Sequence, residues 1–284
     1  MPLTFPRIQG GDIAGRIVDV GDGVDPQRVG QRVVADPARY DADDCDANPV
    51  ELLGSERDGG FAQFVAVDDA QAHAVDDSLL TDEQLACLPI AYGTAMGMLE
   101  RAEVTAGERV VVTGASGGVG LALVELAAAR GAHVVALTSE GKQQGVRDAG
   151  ADRVVVRSEP DLAQAIRREA GGPVDAIADV VGGEAFSTLL PLLGEGGRLV
   201  VAGAIAGPMV TLDLRVLYLH QRKLIGSSMH TPAHFRRVVA IARRGAISPQ
   251  VASVYPLTSI HEAQRDFAAK RGVGKLVLLP WDAR

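Results

Sequence analysis

The residues of this sequence best placed to do chemistry are glycines. Four of them lie between positions 114 and 120, after a β-branched stretch, Arg109–Thr113, and before a helix-period stretch, Val119–Arg130. A strand that enters a helix through such a turn leaves N–H groups unpaired at the helix start, where the helix dipole also favours an anion. Because glycine has no Cβ, phosphates can approach the backbone closely. The run predicts a dinucleotide site whose contacts are Gly114, Ser116, Gly117, Gly118, Val119 and Gly120.

Proteins of other functions carry the same glycine and serine pattern. Residues 114–118 also fit G-x-S-x-G, the nucleophile elbow of hydrolases. The same turn resembles the opening of a short-chain dehydrogenase, which needs Tyr-x-x-x-Lys downstream, yet Tyr218 is followed by Arg222 and Tyr255 by Ser259. A glycine-rich turn that binds nothing is the third alternative. The surrounding elements therefore have to decide between these interpretations.

Short apolar strands alternate with helix-period stretches after the glycine run. Such alternation predicts βαβ units and a parallel sheet covered on both faces. The glycine run lies on the first strand of the series, as in a Rossmann domain, whereas a hydrolase elbow should follow several strands. The predicted strands are 133–137, 153–156, 174–179 and 197–203, and the predicted helices are 142–149, 162–170 and 185–193.

The two ends of the chain have a different sequence pattern. Residues 12–20, 31–35 and 61–67 read as short antiparallel strands of a small barrel, separated by Gly, Asp and Pro turns. Capping boxes at Thr81 and Ser259, and Thr231-Pro232, predict later helices, and 274–279 is a closing strand. We predict domains at 1–90, 91–245 and 246–284, the third returning to the first.

Composition limits the class of protein. The chain has 284 residues, is 47% hydrophobic and carries a formal charge of −8, which argues against a nucleic-acid partner. It contains no apolar run near the ~20 residues that a membrane-spanning helix needs and no secretory signal. Its two cysteines make no disulfide framework, so we expect a cytoplasmic protein without a membrane partner.

The ordered motifs resemble the medium-chain dehydrogenase/reductase superfamily, close to its zinc-free quinone oxidoreductase-like branch. They are Gly10–Gly15, Val29–Val33, Gly59–Val65, Gly93–Ala95, Gly114–Gly120, Gly203, Gly226-Ser227, Tyr255–Leu257 and Gly274-Lys275. The resemblance implies an α/β protein with a central Rossmann domain and a GroES-like β-barrel domain built from both chain ends. It also implies hydride transfer from a nicotinamide cofactor, a homodimer, and cofactor contacts from Thr94, Gly203, Gly274 and Lys275.

Two departures from the family pattern concern zinc and the barrel. Asp12 follows Gly11 where zinc-dependent relatives carry Gly-His-Glu, and the loop matching their four-cysteine lobe has one cysteine, Cys45, among aspartates 41–46. Because tetrahedral zinc needs four strong ligands, or three and water, we predict no metal. Relatives carry additional strands before the segment matching Pro6–Gly15, so we expect a barrel shortened at its N-terminus or closed by a partner chain.

The second strand of the Rossmann series points to the cofactor. NAD sites place an acid at its end to bind the ribose hydroxyls, but Leu137 stands there. Ser139 and Lys142 follow and suit a 2′-phosphate, although Glu140 argues mildly against it. We therefore predict NADP(H).

The catalytic group carries no motif in the sequence, and Tyr92 and His230 are the candidates. The predicted function is an NADPH-dependent oxidoreductase that transfers hydride to a small quinone, enone or carbonyl compound without zinc. The alternative is a non-catalytic NADPH-binding protein or a truncated remnant.

Overall fold

The computed structural model describes residues 4–41 and 49–281. It divides into two compact units, one formed by Met1–Gly93 with Thr231–Arg284 and one formed by Thr94–His230. The first unit therefore takes up the chain again at Thr231, earlier than the boundary predicted after residue 245.

Short antiparallel strands make up the beginning of the first unit. They are β1 (Ala14–Arg16), β2 (Arg32–Ala35), β3 (Ala38–Arg39), β4 (Glu51–Leu52) and β5 (Ala72–Ala74). Strands β1, β2 and β5 form one sheet in that order, and β3 pairs with β4. The antiparallel pairing predicted for this region is present, but each strand is short and most side chains are only half-buried.

The strand predicted over residues 61–67 does not form. The N–H groups of Gly59, Gly60 and Phe61 bond the carbonyls of Ile8, Gly10 and Gln9 at 2.7–2.9 Å. After Phe61, residues 62–67 pair with none of the described strands, so an alternating pattern alone does not give them a ladder. The strand predicted over 12–20 is likewise limited to β1.

A capped helical segment follows at Thr81, as predicted. The Thr81 hydroxyl accepts from the Gln84 N–H, the Gln84 side chain bonds back to the Thr81 backbone, and α1 covers Asp82–Leu85. A π-helical turn, Leu88–Tyr92, then leads into α2 (Gly93–Arg101).

The second unit is an alternating α/β structure, and all of its residues are described. Its elements are β6 (Arg109–Val112), α3 (Gly118–Ala129), β7 (His133–Thr138), α4 (Gln143–Asp148), β8 (Arg153–Val156), α5 (Leu162–Ala170), β9 (Val174–Asp179), α6 (Ala185–Leu189), β10 (Leu193–Val201), α7 (Leu214–Tyr218) and β11 (Lys223–Gly226). The six strands are parallel in the order β11-β10-β9-β6-β7-β8. The strand order reverses between β6 and β9, and that gap is the switch point at which ligands of such sheets bind.

The core of this sheet lies on its central strands. Val111, Ile177 and Leu199 are fully buried on neighbouring strands, and apolar residues of α5 and α6 pack against them. Helices on both faces explain why these strands read as apolar runs without polar alternation.

Strand β11 is an edge of the sheet, because its one neighbour within this unit is β10. Three of its four residues are exposed, including Leu224. Large apolar side chains are also exposed just before it, with Met209 at 87%, Leu214 and Tyr218 at 62% and Leu219 at 59% of their full accessible surface.

The first unit is completed by α8 (Pro232–Arg243), β12 (Val251–Pro256), α9 (Ile260–Ala269) and β13 (Lys275–Leu279). Helix α8 belongs here because it buries Phe235 and Val238, the Ser78 hydroxyl donates to the Ala242 carbonyl at 3.1 Å, and Arg243 pairs with Asp77 at 2.7 Å.

The cap predicted at Thr231-Pro232 is confirmed, because the Thr231 hydroxyl accepts from the His234 N–H at the start of α8. The side-chain cap predicted at Ser259 is absent. Ser259 is the N-cap residue of α9, yet its side chain makes no capping hydrogen bond, because a 3₁₀ turn, Leu257–Ser259, precedes the helix. No helix in the described ranges has the length and apolar character that crossing a membrane requires.

Candidate functional site

The turn between β6 and α3 brings the predicted glycines together. Gly114 has the left-handed φ of +59°, and its carbonyl accepts from the Gly117 N–H at 3.0 Å. Gly117 is the extended N-cap residue of α3 and brings no side chain to cap the helix. The first N–H groups of α3, at Gly118, Val119 and Gly120, therefore begin a 12-residue helix whose dipole favours an anion.

Two of the three glycines spaced three apart, Gly120 and Gly117, lack a side chain for different physical reasons. A Cβ at Gly120 would lie 2.2 Å from the Gly114 carbonyl oxygen, so this position needs glycine for the chain to pack. A Cβ at Gly117 would lie 3.4 Å from the same oxygen, an ordinary contact, and Gly117 is exposed. The fold does not demand glycine at 117, so its missing side chain leaves room for a ligand. This cradle fits a pyrophosphate.

The carboxyl end of β7 lies beside this turn, because the Ala115 N–H donates to the Leu137 carbonyl at 3.0 Å. Thr138 is 2% exposed, and its hydroxyl has no hydrogen-bond partner in the described protein. Ser139 and Lys142 follow as half-buried residues, and Lys142 is the N-cap residue of α4.

Arg157, which sequence reasoning missed, lies at the same edge. Its N–H donates to the Thr138 carbonyl at 2.8 Å, and it is the exposed residue after β8. The backbone of Arg157 therefore lies beside the strand end that precedes Ser139. The signal in the sequence was a cation directly after the third parallel strand.

Gly203 lies at the carboxyl end of β10. A Cβ there would stand 2.8 Å from the Val180 carbonyl oxygen, so glycine permits a close backbone approach. Thr94, in α2, is 8% exposed, and His230, the last residue of this unit, is fully buried.

Asp179 is a second residue that sequence reasoning missed. It is fully buried at the end of β9 and accepts hydrogen bonds from Thr113 and from the turn that follows it. An isolated aspartate at the end of an apolar strand carries no motif, so its pattern gave no signal.

The remaining predicted site residues, Tyr92, Gly274 and Lys275, belong to the first unit. Tyr92 is 2% exposed. Gly274 has φ of +101°, and a Cβ there would lie 2.4 Å from the Gln250 carbonyl oxygen, so packing alone requires glycine.

Lys275 forms an ion pair with Asp12 rather than pointing to bulk water. Its Nζ lies 2.5 Å from Asp12 Oδ2, while Asp12 Oδ1 accepts from the Ile90 N–H at 2.7 Å. Burial acts to lower the pKa of Lys275, but the charge and hydrogen bond of Asp12, with a contribution from Cys87, outweigh it and raise that pKa. The ammonium is therefore charged at neutral pH.

Within residues 4–41 and 49–281, no group of three or more His, Cys, Asp or Glu side chains is arranged to hold a metal ion. Both oxygens of Asp12, which stands where zinc-dependent relatives are expected to carry a ligand, are engaged by other groups. The aspartate loop with Cys45 falls mostly outside the described residues.

Two family models match the chain. Residues 1–77 match the one described as "Alcohol dehydrogenase GroES-like domain", and residues 118–244 match "Zinc-binding dehydrogenase".

Curated relatives extend over nearly the whole chain. An acryloyl-coenzyme A reductase of Metallosphaera sedula is 30% identical over 97% of this chain and 84% of its own length. A quinone oxidoreductase of Rattus norvegicus is 32% identical over 97% of this chain and 80% of its own.

Solved structures agree with this. A putative alcohol dehydrogenase from Sinorhizobium meliloti 1021 is 50% identical, with a TM-score of 0.94 over 98% of this chain and 77% of that one. The 2-octenoyl-CoA carboxylase reductase CinF, solved with NADP and 2-octenoyl-CoA, is 27% identical, with a TM-score of 0.89 over 98% of this chain and 69% of that one.

The predicted fold is confirmed: a parallel six-stranded Rossmann-like sheet with helices accompanies a GroES-like domain. Relatives matched along almost the full sequence are oxidoreductases by name. The chain belongs to the medium-chain dehydrogenase/reductase superfamily of oxidoreductases.

Proposed function

We propose that this protein is an NADPH-dependent oxidoreductase that transfers hydride to a small quinone, enone or other carbonyl compound without zinc. The observation that carries the proposal is the cradle at Gly117, where the fold leaves a side-chain position empty at the start of α3. Bound there, a nicotinamide dinucleotide would supply the hydride, and the protein would bind and orient it.

The residues at the carboxyl edge of the sheet support NADP(H) over NAD(H). Leu137 offers no acid to ribose hydroxyls, and the groups near it are the Ser139 hydroxyl and two cations, Lys142 and Arg157, with Glu140 as a carboxylate among them. Cations and hydroxyls suit a 2′-phosphate, whereas a carboxylate would repel it. The contacts proposed for the cofactor remain those predicted from the sequence, with Arg157 added.

Zinc independence rests on Asp12. Its carboxylate is engaged by Lys275 and by the Ile90 N–H, which leaves both oxygens occupied. Without a Lewis acid, carbonyl polarisation falls to N–H groups, hydroxyls or water, and Tyr92 and His230 stay the candidate side chains. A cytoplasmic location remains a prediction from the cysteine content.

We also propose a homodimer formed through the β11 edge. An edge strand presents unpaired N–H and C=O groups, and the exposed apolar side chains before it form the kind of surface that association covers. A two-fold axis beside β11 would pair the strand with its own copy.

To test the activity, purified protein and NADPH are mixed with each member of a panel of quinones, enones, aldehydes and a 2-enoyl thioester. The loss of NADPH absorbance measures the rate. We expect turnover of at least one class, zinc well below one per chain by elemental analysis, and unchanged rates after chelation. Tight NADPH binding without turnover of any acceptor would favour the non-catalytic alternative, and activity lost on chelation would contradict zinc independence.

For the cofactor, we expect NADPH to bind at least about tenfold more tightly than NADH, a difference of about 1.4 kcal/mol. Lys142→Ala should weaken NADPH binding and leave NADH binding unchanged, because only the former carries the 2′-phosphate. Fluorescence titration of both nucleotides measures this. Equal affinities in the unaltered protein would refute the NADP(H) assignment.

Gly117 and Gly120 should respond differently to substitution. Gly117→Val should fold with nearly unchanged thermal stability but lose nucleotide binding, because a Cβ at this position would meet no atom closer than 3.4 Å, while the valine methyl groups would fill the cradle. Gly120→Ala should instead lower the melting temperature, because its Cβ would stand 2.2 Å from the Gly114 oxygen. Undiminished binding by a folded Gly117→Val protein would show that the nucleotide lies elsewhere.

The dimer prediction concerns Leu224 on the edge strand. We expect a two-chain mass in solution, and Leu224→Lys should shift the population toward the monomer, because cations on an edge strand oppose pairing. Analytical ultracentrifugation over a range of concentrations measures both, with Leu79→Lys, at another exposed leucine, as the control. A monomer at every concentration would contradict the proposal.

A further inference from the structure

Two acidic residues occupy opposite ends of β9 and both reach β6. Asp175, at the amino end, accepts from the Arg109 N–H at 2.8 Å. Asp179, at the carboxyl end, accepts from the Thr113 hydroxyl at 2.6 Å. These strands flank the switch point of the sheet, so Asp179 and Thr113 bond across the edge at which a ligand of such a sheet lies.

The Asp179 carboxylate is fully buried and holds the turn that follows it. Its Oδ1 accepts from the Val181 N–H at 2.9 Å, and both oxygens lie 3.2 Å from the Gly182 N. The Thr113 hydroxyl, while donating to Asp179, accepts from the Val180 N–H at 3.0 Å. Every backbone N–H from Val180 to Gly182 is therefore held by this two-residue network.

That turn lies directly against two glycines of the candidate site. A Cβ at Gly114 would lie 3.0 Å from the Val180 side chain and 3.1 Å from that of Val181. A Cβ at Gly203 would lie 2.8 Å from the Val180 carbonyl oxygen. The backbone held by Asp179 thus borders both the first glycine of the β6–α3 turn and the glycine after β10.

Burying a carboxylate is expensive, and an apolar residue would fill the end of an apolar strand at lower cost. The carboxylate does what an apolar residue could not, since it accepts from three donors and fixes their geometry. Its strong O–H···O bond to Thr113 joins the ends of two strands that no helix crossover connects directly.

We propose that Asp179 is a positioning residue for the nicotinamide dinucleotide: through Thr113 and the Val180–Gly182 backbone it sets the spacing of Gly114 and Gly203. This inference rests on the proposed function, because it presumes that a dinucleotide binds at these glycines. Removing the charge at Asp179 should then weaken nucleotide binding in a protein that still folds.

The test compares Asp179→Asn with Asp175→Asn. Asp175 is also a carboxylate of β9 bonded to β6, but it lies at the amino end of the strand. We expect the Kd for NADPH to rise at least about tenfold in Asp179→Asn and to stay within about twofold in Asp175→Asn. Fluorescence titration gives the Kd, and thermal melts of the nucleotide-free proteins show that each variant is folded.

Substitutions of Thr113 provide a second test of the inference, which remains available if Asp179→Asn does not fold. Thr113→Val removes the hydroxyl and should weaken NADPH binding, whereas Thr113→Ser keeps it and should restore nearly normal affinity. Equal losses in the two aspartate variants, or normal affinity in Thr113→Val, would reduce Asp179 to a residue of general stability and overturn the inference. Failure of the unaltered protein to bind any nicotinamide dinucleotide would instead refute the proposed function.

Discussion

The close approach of α3 to the carbonyl of Gly114 is the constraint on which the candidate site depends. With a Cβ position at Gly120 only 2.2 Å from that oxygen, the helix can start where it does only if residue 120 is glycine. The approach turns the first N–H groups of α3 toward the carboxyl edge of the sheet, beside the switch point between β6 and β9. Other groups at the same edge, among them Ser139 and Asp179, become relevant to a ligand because this helix start is fixed.

Much of the second unit could be predicted because its signals are local. Buried parallel strands are short apolar runs, and Arg153–Val156 and Val174–Asp179 have the predicted bounds. The first unit depends on partners far along the chain: residues 61–67 alternate like a strand but pair with none of the described strands. Alternation reports which faces a strand could have, not whether a neighbour exists to bond it.

The residues of the candidate site also differ in whether the sequence could predict them. Its glycines follow from spacing, since the strand–turn–helix context gives them a purpose. Asp179 and Arg157 do not, because their relevance comes from neighbouring strands whose register is known only from the fold. The cofactor contact of Lys275 stays a prediction, and the structure pairs its ammonium with Asp12, a partner that no local pattern could reveal.

The bond between Lys275 and Asp12 joins residues 263 positions apart, so the first unit draws its stability from both ends of the sequence. Closing so long a loop is slow, and local structure has to come first. The second unit, formed by one continuous stretch, can fold on the ribosome while the C-terminal strands are still unmade. During synthesis Asp12 therefore lacks its lysine until β13 emerges, and in this interval the early antiparallel strands are open to aggregation and to chaperones.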